Sequence, residues 1–220
     1  MQRGDARNGT GARERVMSCA VREFMDKGFN GASLRTIAAA AEVTTGAIYG
    51  YFPSKEALFD AIVAPAGDEL LARYIASQER FYTLPFEDQT FSGMQDYERG
   101  LVHDMLDFVY DHQEEFLLIF AKSTGTSWET YMERFIDVEE ESTHRYTHEM
   151  RERGIDLVEM SPATARILSS MFFRGYFEPL LAGLPRAEAH DFITDYERFF
   201  HAGYVTLMDP QQGAGSKDAR

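Results

Sequence analysis

One cysteine, Cys19, stands among the 220 residues, so an internal disulfide is excluded. Its place beside the apolar positions of a helical segment makes it a packed core thiol rather than a reactive or metal-binding one. No apolar run approaches the roughly 18 residues that a membrane-spanning helix needs, and no secretory segment is visible. A cytoplasmic protein without a membrane partner is therefore expected. Strand-like alternation, internal repeats, a phosphate-cradling glycine loop, a dinucleotide fingerprint and a Ser-His-Asp or Cys-His order are all missing. Basic charge is scarce as well, since 22 Lys and Arg face 36 Asp and Glu for a net charge of −14. That balance argues against a nucleic-acid partner only if it is uniform. It is not: residues 1–60 hold eight basic and seven acidic side chains, so the excess acid lies beyond them.

What is present is helical. With 44% hydrophobic residues the chain can bury a real core, and the apolar positions recur at helical spacing almost throughout. Residues 1–11 lack that period and read as a disordered arm, a solvated tail in which Arg3 and Arg7, with Arg13 just beyond, are available to reach a groove. A first helix follows over 12–27, with Val16, Ala20 and Phe24 at i, i+4 and i+8 and Gly28 placed to stop it.

The most informative stretch is Ser33–Leu58, SLRTIAAAAEVTTGAIYGYFPSKEAL. Ser33 is placed to cap a helix whose inner face is Leu34, Ile37, Ala38 and Ala41. After a turn at Glu42 and Val43, Thr44 is placed to cap a second helix, with Val43 stapled on Ile48. The exposed side of that helix carries Thr45, Gly46, Tyr49 and Tyr51, groups suited to phosphates and base edges, while Phe52 closes the core beneath. Pro53 ends it, and Ser54 caps a further helix. Lys55 in the first turn opposes the macrodipole of that helix, which a bound phosphate would reverse.

This order of residues, with an Ala-rich helix, then V-T-T-G-A-I-Y, then F-x-x-K-E-x-L, resembles the DNA-binding domain of the TetR family of transcriptional regulators over residues 12–60. The resemblance implies an all-α protein: an N-terminal three-helix helix-turn-helix domain, then a larger helical domain over 61–208 for effector binding and dimerisation, and a disordered tail over 209–220. It implies that Arg35, Thr36, Thr44, Tyr51 and Lys55 position the DNA backbone, while Thr45, Gly46 and Tyr49 lie nearest base edges. It implies no cofactor, and as partners double-stranded operator DNA, a second copy of the chain and a small-molecule effector. One departure is Glu42, where the family usually has Gly. A non-Gly residue in a left-handed turn costs about 1 kcal/mol, so either the turn differs or the strain is tolerated.

Beyond Ser54, Pro65 and Gly67 predict a kink or break in the connecting helix. Residues 81–91 read as a loop. Helices follow over 94–110, 113–121, 128–153, from Ser161 to the stop at AGLP, and over 187–208. Residues 81–135 contain twelve aromatics in 55 positions, well above the 13% of the whole chain, and a dense core accounts for most of them. Glu139 is the exception to watch, because it falls on the apolar face of Trp128, Met132, Phe135, Tyr146 and Met150. A carboxylate there must find a partner or shift its pKa. Asp104 lies at the margin of the Met94, Tyr97, Leu101, Met105, Phe108 arc. Asp104, Phe108, Trp128, Phe135 and Glu139 are thus the candidate effector contacts, with an aromatic or cationic ligand favoured.

Glu140, Glu141, His144 and His148 include E-x-x-H, a spacing that metal sites use. Helical phase turns both histidines away from the apolar face, so they read as solvated and no metal ligand is assigned. The resulting expectation is a homodimeric DNA-binding regulator, a repressor released by a small molecule. Its alternatives are a helical enzyme or metal-binding protein carrying the same motif, or a DNA-binding regulator that senses no effector.

Overall fold

The computed structural model describes the backbone of residues 5–209 and the side chains within that span other than 5–10, 91, 92, 94–96 and 98. Arg3, the side chains of Arg7 and Met94, and residues 210–220 lie outside the described residues. Helices α1 (Asp5–Gly31), α2 (Leu34–Ala40), α3 (Thr45–Tyr51), α4 (Lys55–Phe81), α5 (Phe91–Asp111), α6 (Gln113–Leu117), α7 (Tyr131–Glu152), α8 (Pro162–Leu181) and α9 (Arg186–Met208) follow in order. No strand occurs among the described residues. Two compact units divide the chain: Met1–Glu69 with His112–Tyr131, and Leu70–Asp111 with Met132–Arg220.

In the first unit α1, α2 and α3 pack on the start of α4. Val16, Ala20 and Phe24 of α1 are buried, as are Ile37, Ala38, Ile48, Phe52, Leu58, Phe59 and Ile62. The rings of Phe24 and Phe29 meet Phe59 edge-on at 5.1 and 5.5 Å, an arrangement that the ring quadrupoles favour. One expectation changes here. The segment 5–11, expected to be an unstructured arm, is the first part of α1. Gly28 does stop the helix that precedes it: its φ of 66° and ψ of 170° are non-helical, and a second short helical stretch follows across the kink to Gly31.

The second change concerns α4, which runs from Lys55 to Phe81 through Pro65 without a break. Proline removes one backbone donor, but the surrounding turns are held by packing: Val63 and Ala66 are buried, and the Tyr131 hydroxyl donates to the Gly67 carbonyl at 2.5 Å. Gly67 itself is demanded by the Trp128 ring, since a Cβ there would lie 2.4 Å from it.

The turn between α2 and α3 closes as a Schellman motif: Val43 N–H donates to Ala38 O at 3.0 Å and Glu42 N–H to Ala39 O at 3.3 Å. Glu42 takes the left-handed position with φ 56°, so the chain tolerates the strain rather than changing the turn. Glu42→Gly is expected to stabilise the protein by up to about 1 kcal/mol, less whatever the freer unfolded glycine takes back. Urea unfolding measures it, and a loss of stability would show that the Glu42 conformation is unstrained.

The second unit is built from the end of α4 with α5, α7, α8 and α9. Its interior is aromatic, with Phe135 packed on Tyr74, Phe173 and Phe177 at ring-centroid distances of 5.4, 5.4 and 5.9 Å. Gly175 of α8 leaves the space that Tyr196 of α9 fills, since a Cβ would lie 2.1 Å from its hydroxyl. That hydroxyl donates to the Met171 carbonyl at 2.7 Å. A Cβ at Gly203, by contrast, would meet nothing within 4 Å in the chain.

Candidate nucleic-acid interface and effector cavity

The α2–turn–α3 element offers a polar face on an apolar base. Thr44 accepts the Ala47 N–H through its hydroxyl at 3.1 Å and so starts α3. Ser33 caps α2 without a side-chain bond, and its N–H donates instead to Glu23 at 3.1 Å. Ile48 and Phe52 are buried, which fixes the rotation of α3 and turns its other residues outward. Tyr49 is 54% exposed and Tyr51 38%. Thr44 and Gly46 are exposed, Thr45 is half-buried, and Arg35 and Thr36 stand exposed on α2. A Cβ at Gly50 would meet nothing within 4 Å, so its smallness answers no contact inside the chain, a signal that sequence reasoning passed over.

Lys55 is the departure. Its ammonium donates to the carbonyls of Phe29, Asn30 and Ala32 at 2.6, 3.4 and 3.2 Å and lies 4.5 Å from the centre of the Phe29 ring. These oxygens close the end of α1 and the turn after it. The cation therefore satisfies the negative end of one helix instead of opposing the positive end of its own. Within the chain Lys55 thus makes a structural contact. Lys55→Met should lower stability by about 1.5–3 kcal/mol, the usual worth of hydrogen bonds to a charged group. Chemical denaturation tests this, and unchanged stability would show that these bonds contribute nothing net.

In the second unit a cavity of about 110 Å³ opens between α4, α5, α7, α8 and α9. Of the five residues expected to contact an effector, Glu139 lines it, and the other four do not. Phe135 is wholly buried behind Tyr74 and Phe173, which do line it. Asp104 is exposed, and Phe108 lies under the Arg73 guanidinium at 4.2 Å, because the buried arc of α5 is centred on Val102, Met105, Leu106 and Val109. Trp128 precedes α7 and belongs to the first unit, where its indole N–H donates to Asp60 at 2.8 Å.

Glu139 accepts a hydrogen bond from the Tyr74 hydroxyl. Burial raises its pKa above the ordinary carboxylate range, and the tyrosine bond opposes that shift. Sequence reasoning missed Glu197 and His201 on the same wall. The phase test that singled out Glu139 would have found Glu197, which shares the buried face of α9 with Ile193 and Phe200. Of the residues flanking the E-x-x-H, His148 lies 3.4 Å from Glu152, and Glu140 pairs with Arg166 at 3.1 Å. No group of three potential ligands suited to a metal occurs among the described residues.

The fold and this exposed short helix define a helix-turn-helix DNA-binding domain carried on a helical body. Residues 16–62 match the model of the bacterial regulatory proteins of the tetR family. The HTH-type transcriptional regulator UidR of Escherichia coli K12 is 36% identical over 62 residues, 28% of this chain and 32% of that protein. The repressor KstR2 of Rhodococcus jostii is 31% identical over 70 residues, 32% and 34% of the two chains. The likeness thus spans about a third of these relatives' length. Over most of the chain the fold is similar to native NalD of Pseudomonas aeruginosa, secondary repressor of the MexAB-OprM multidrug efflux pump (TM-score 0.58, 20% identity, 92% of this chain and 98% of that one). It is also similar to SmeT in complex with triclosan (TM-score 0.56, 17% identity, 88% and 91%).

Proposed function

We propose that this protein is a homodimeric transcriptional repressor that binds operator DNA through α3 and is released by a small molecule in the cavity beside Glu139. The observation that carries the DNA reading is α3 itself, with Tyr49, Tyr51, Thr44 and Gly46 outward over a base locked by Ile48 and Phe52. Arg35, Thr36, Thr44 and Tyr51 take the phosphates, and Thr45, Gly46 and Tyr49 take base edges. The named regulators and repressors among the relatives support this role. Such a regulator acts in the cytoplasm, where its operator lies.

Dimerisation is supported by the outer faces of α8 and α9. Ile167, Met171 and Phe199 are 60, 52 and 71% exposed, and Gly203 leaves open space beside them in sequence. Exposed apolar side chains of this size on two neighbouring helices suit a self-complementary contact. Two recognition helices spaced by about one DNA turn, roughly 34–36 Å, are what a two-fold operator requires. The effector role is supported by the aromatic-lined cavity and by the triclosan complex of SmeT. A ligand that prefers one dimer geometry by a few kcal/mol suffices to release the operator.

Selection of bound duplexes from a random pool is the direct test. A two-fold symmetric sequence whose affinity falls with salt is expected, and failure to enrich any sequence would overturn the DNA reading.

A further inference from the structure

The cavity's chemistry narrows its ligand, on the reading that it is an effector site. Among the described residues no lysine or arginine lines it, whereas two carboxyl side chains, Glu139 and Glu197, and nine aromatic residues do. Six of its lining hydroxyls are directed into the protein. Tyr74 donates to Glu139, Tyr97 to Ser77 O at 2.9 Å, Tyr146 to Gln89 O at 3.2 Å and Tyr176 to Val102 O at 2.7 Å. Ser77 and Ser142 likewise donate to Tyr74 O and Gln78 Oε1 at 2.6 and 2.7 Å. The walls therefore offer two carboxyl groups and ring faces, with most of their hydroxyl protons already committed to the protein.

Among the described residues the hydrogen-bond partner of Glu139 is the Tyr74 hydroxyl, which occupies Oε2 and leaves Oε1 for a ligand. An anion would meet carboxylates here and find no cation to hold it. A wholly apolar ligand would deepen the desolvation of Glu139 without compensating it. A ligand with a positively charged nitrogen satisfies both features, through a charge-assisted hydrogen bond and through ring faces that attract cations. The remaining basic group on the wall, His201, does not compete. Its pKa is lowered by burial, with Glu197 opposing and Arg99 reinforcing that shift, so it stays neutral at neutral pH.

We propose that the cavity binds a small organic ammonium ion, its N–H donating to Glu139 and its charge facing the rings of Tyr74, Phe172 and Phe173. The volume of about 110 Å³ suits a molecule of one ring and a short chain rather than a large polycyclic dye.

The test uses the full chain at neutral pH and a matched pair of probes, phenethylamine as the cation and 2-phenylethanol as its neutral counterpart. Titration calorimetry on the wild type should show the amine bound at least tenfold more tightly, in line with the extra strength of charge-assisted bonds. Glu139→Gln, which keeps an acceptor for Tyr74 but removes the charge, should erase that preference. Equal binding of the two probes, tighter binding of the alcohol, or a preference that survives Glu139→Gln would overturn the cation assignment while leaving the cavity a ligand site. Binding of neither probe would overturn the cavity reading along with it. The wild-type comparison stands even if the variant fails to fold.

Discussion

Tyr49→Ala is expected to cost the dimer about 2–6 kcal/mol of operator affinity, at about 1–3 kcal/mol for each lost base contact and two recognition helices per operator. In equilibrium terms this is a loss of between about thirtyfold and about twenty-five-thousandfold. The ring is 54% exposed, so its removal should change folding stability by no more than about 0.5 kcal/mol. Tyrosine carries no charge at neutral pH, hence non-specific affinity and the slope of affinity against salt should be preserved. Arg35→Ala should do the opposite, weakening all sequences alike and lowering the slope by about one counterion per site. Fluorescence anisotropy with operator and scrambled duplexes separates the two. Unchanged operator affinity in a folded Tyr49→Ala dimer would remove α3 from the reading role.

Phe135→Ala is expected to destabilise the protein by about 3–5 kcal/mol. Its ring is wholly buried and packed against Tyr74, Phe173 and Phe177. Two of those neighbours already border the cavity, so the vacated space joins one that exists, and collapse around it is limited. The cost should therefore fall in the upper part of the range, because it grows with the void that remains. Denaturant unfolding gives the value. A cost below about 1.5 kcal/mol would mean that the aromatic cluster repacks freely and is not the rigid wall described above. Glu139, one helical turn further along α7, offers the contrast of a side chain whose burial disfavours its charged form.

The helix-turn-helix was legible in the sequence because what builds it is local. The Thr44 cap, the apolar period of Ile37, Ala38 and Ile48, and the left-handed turn at Glu42 all act within a few residues, and the short spacing of the motif records them. The helical character of the remainder was legible for the same reason, as periodicity and start and stop signals such as those at Ser161 and Gly183 are properties of neighbouring residues. Glu139 could be singled out because a charge on an apolar stripe is visible along one helix.

What the sequence could not decide was which surfaces meet. The ammonium of Lys55 found carbonyls some 25 residues away at the end of α1, a partner that no local pattern encodes. Trp128 went to Asp60 and Gly67 rather than to the cavity, because α7 begins three residues later than its apolar period suggested. Pro65 did not interrupt α4, since the packing of the turns on either side outweighs one missing hydrogen bond. Glu197 and His201 came to share a wall with Glu139 only through the docking of α9 on the other helices. Local spacing thus determined that this chain carries a helix-turn-helix and is helical beyond it. Long-range packing, which depends on contacts between residues far apart in the chain, decided which side chains face the cavity and left the others to hold the structure together.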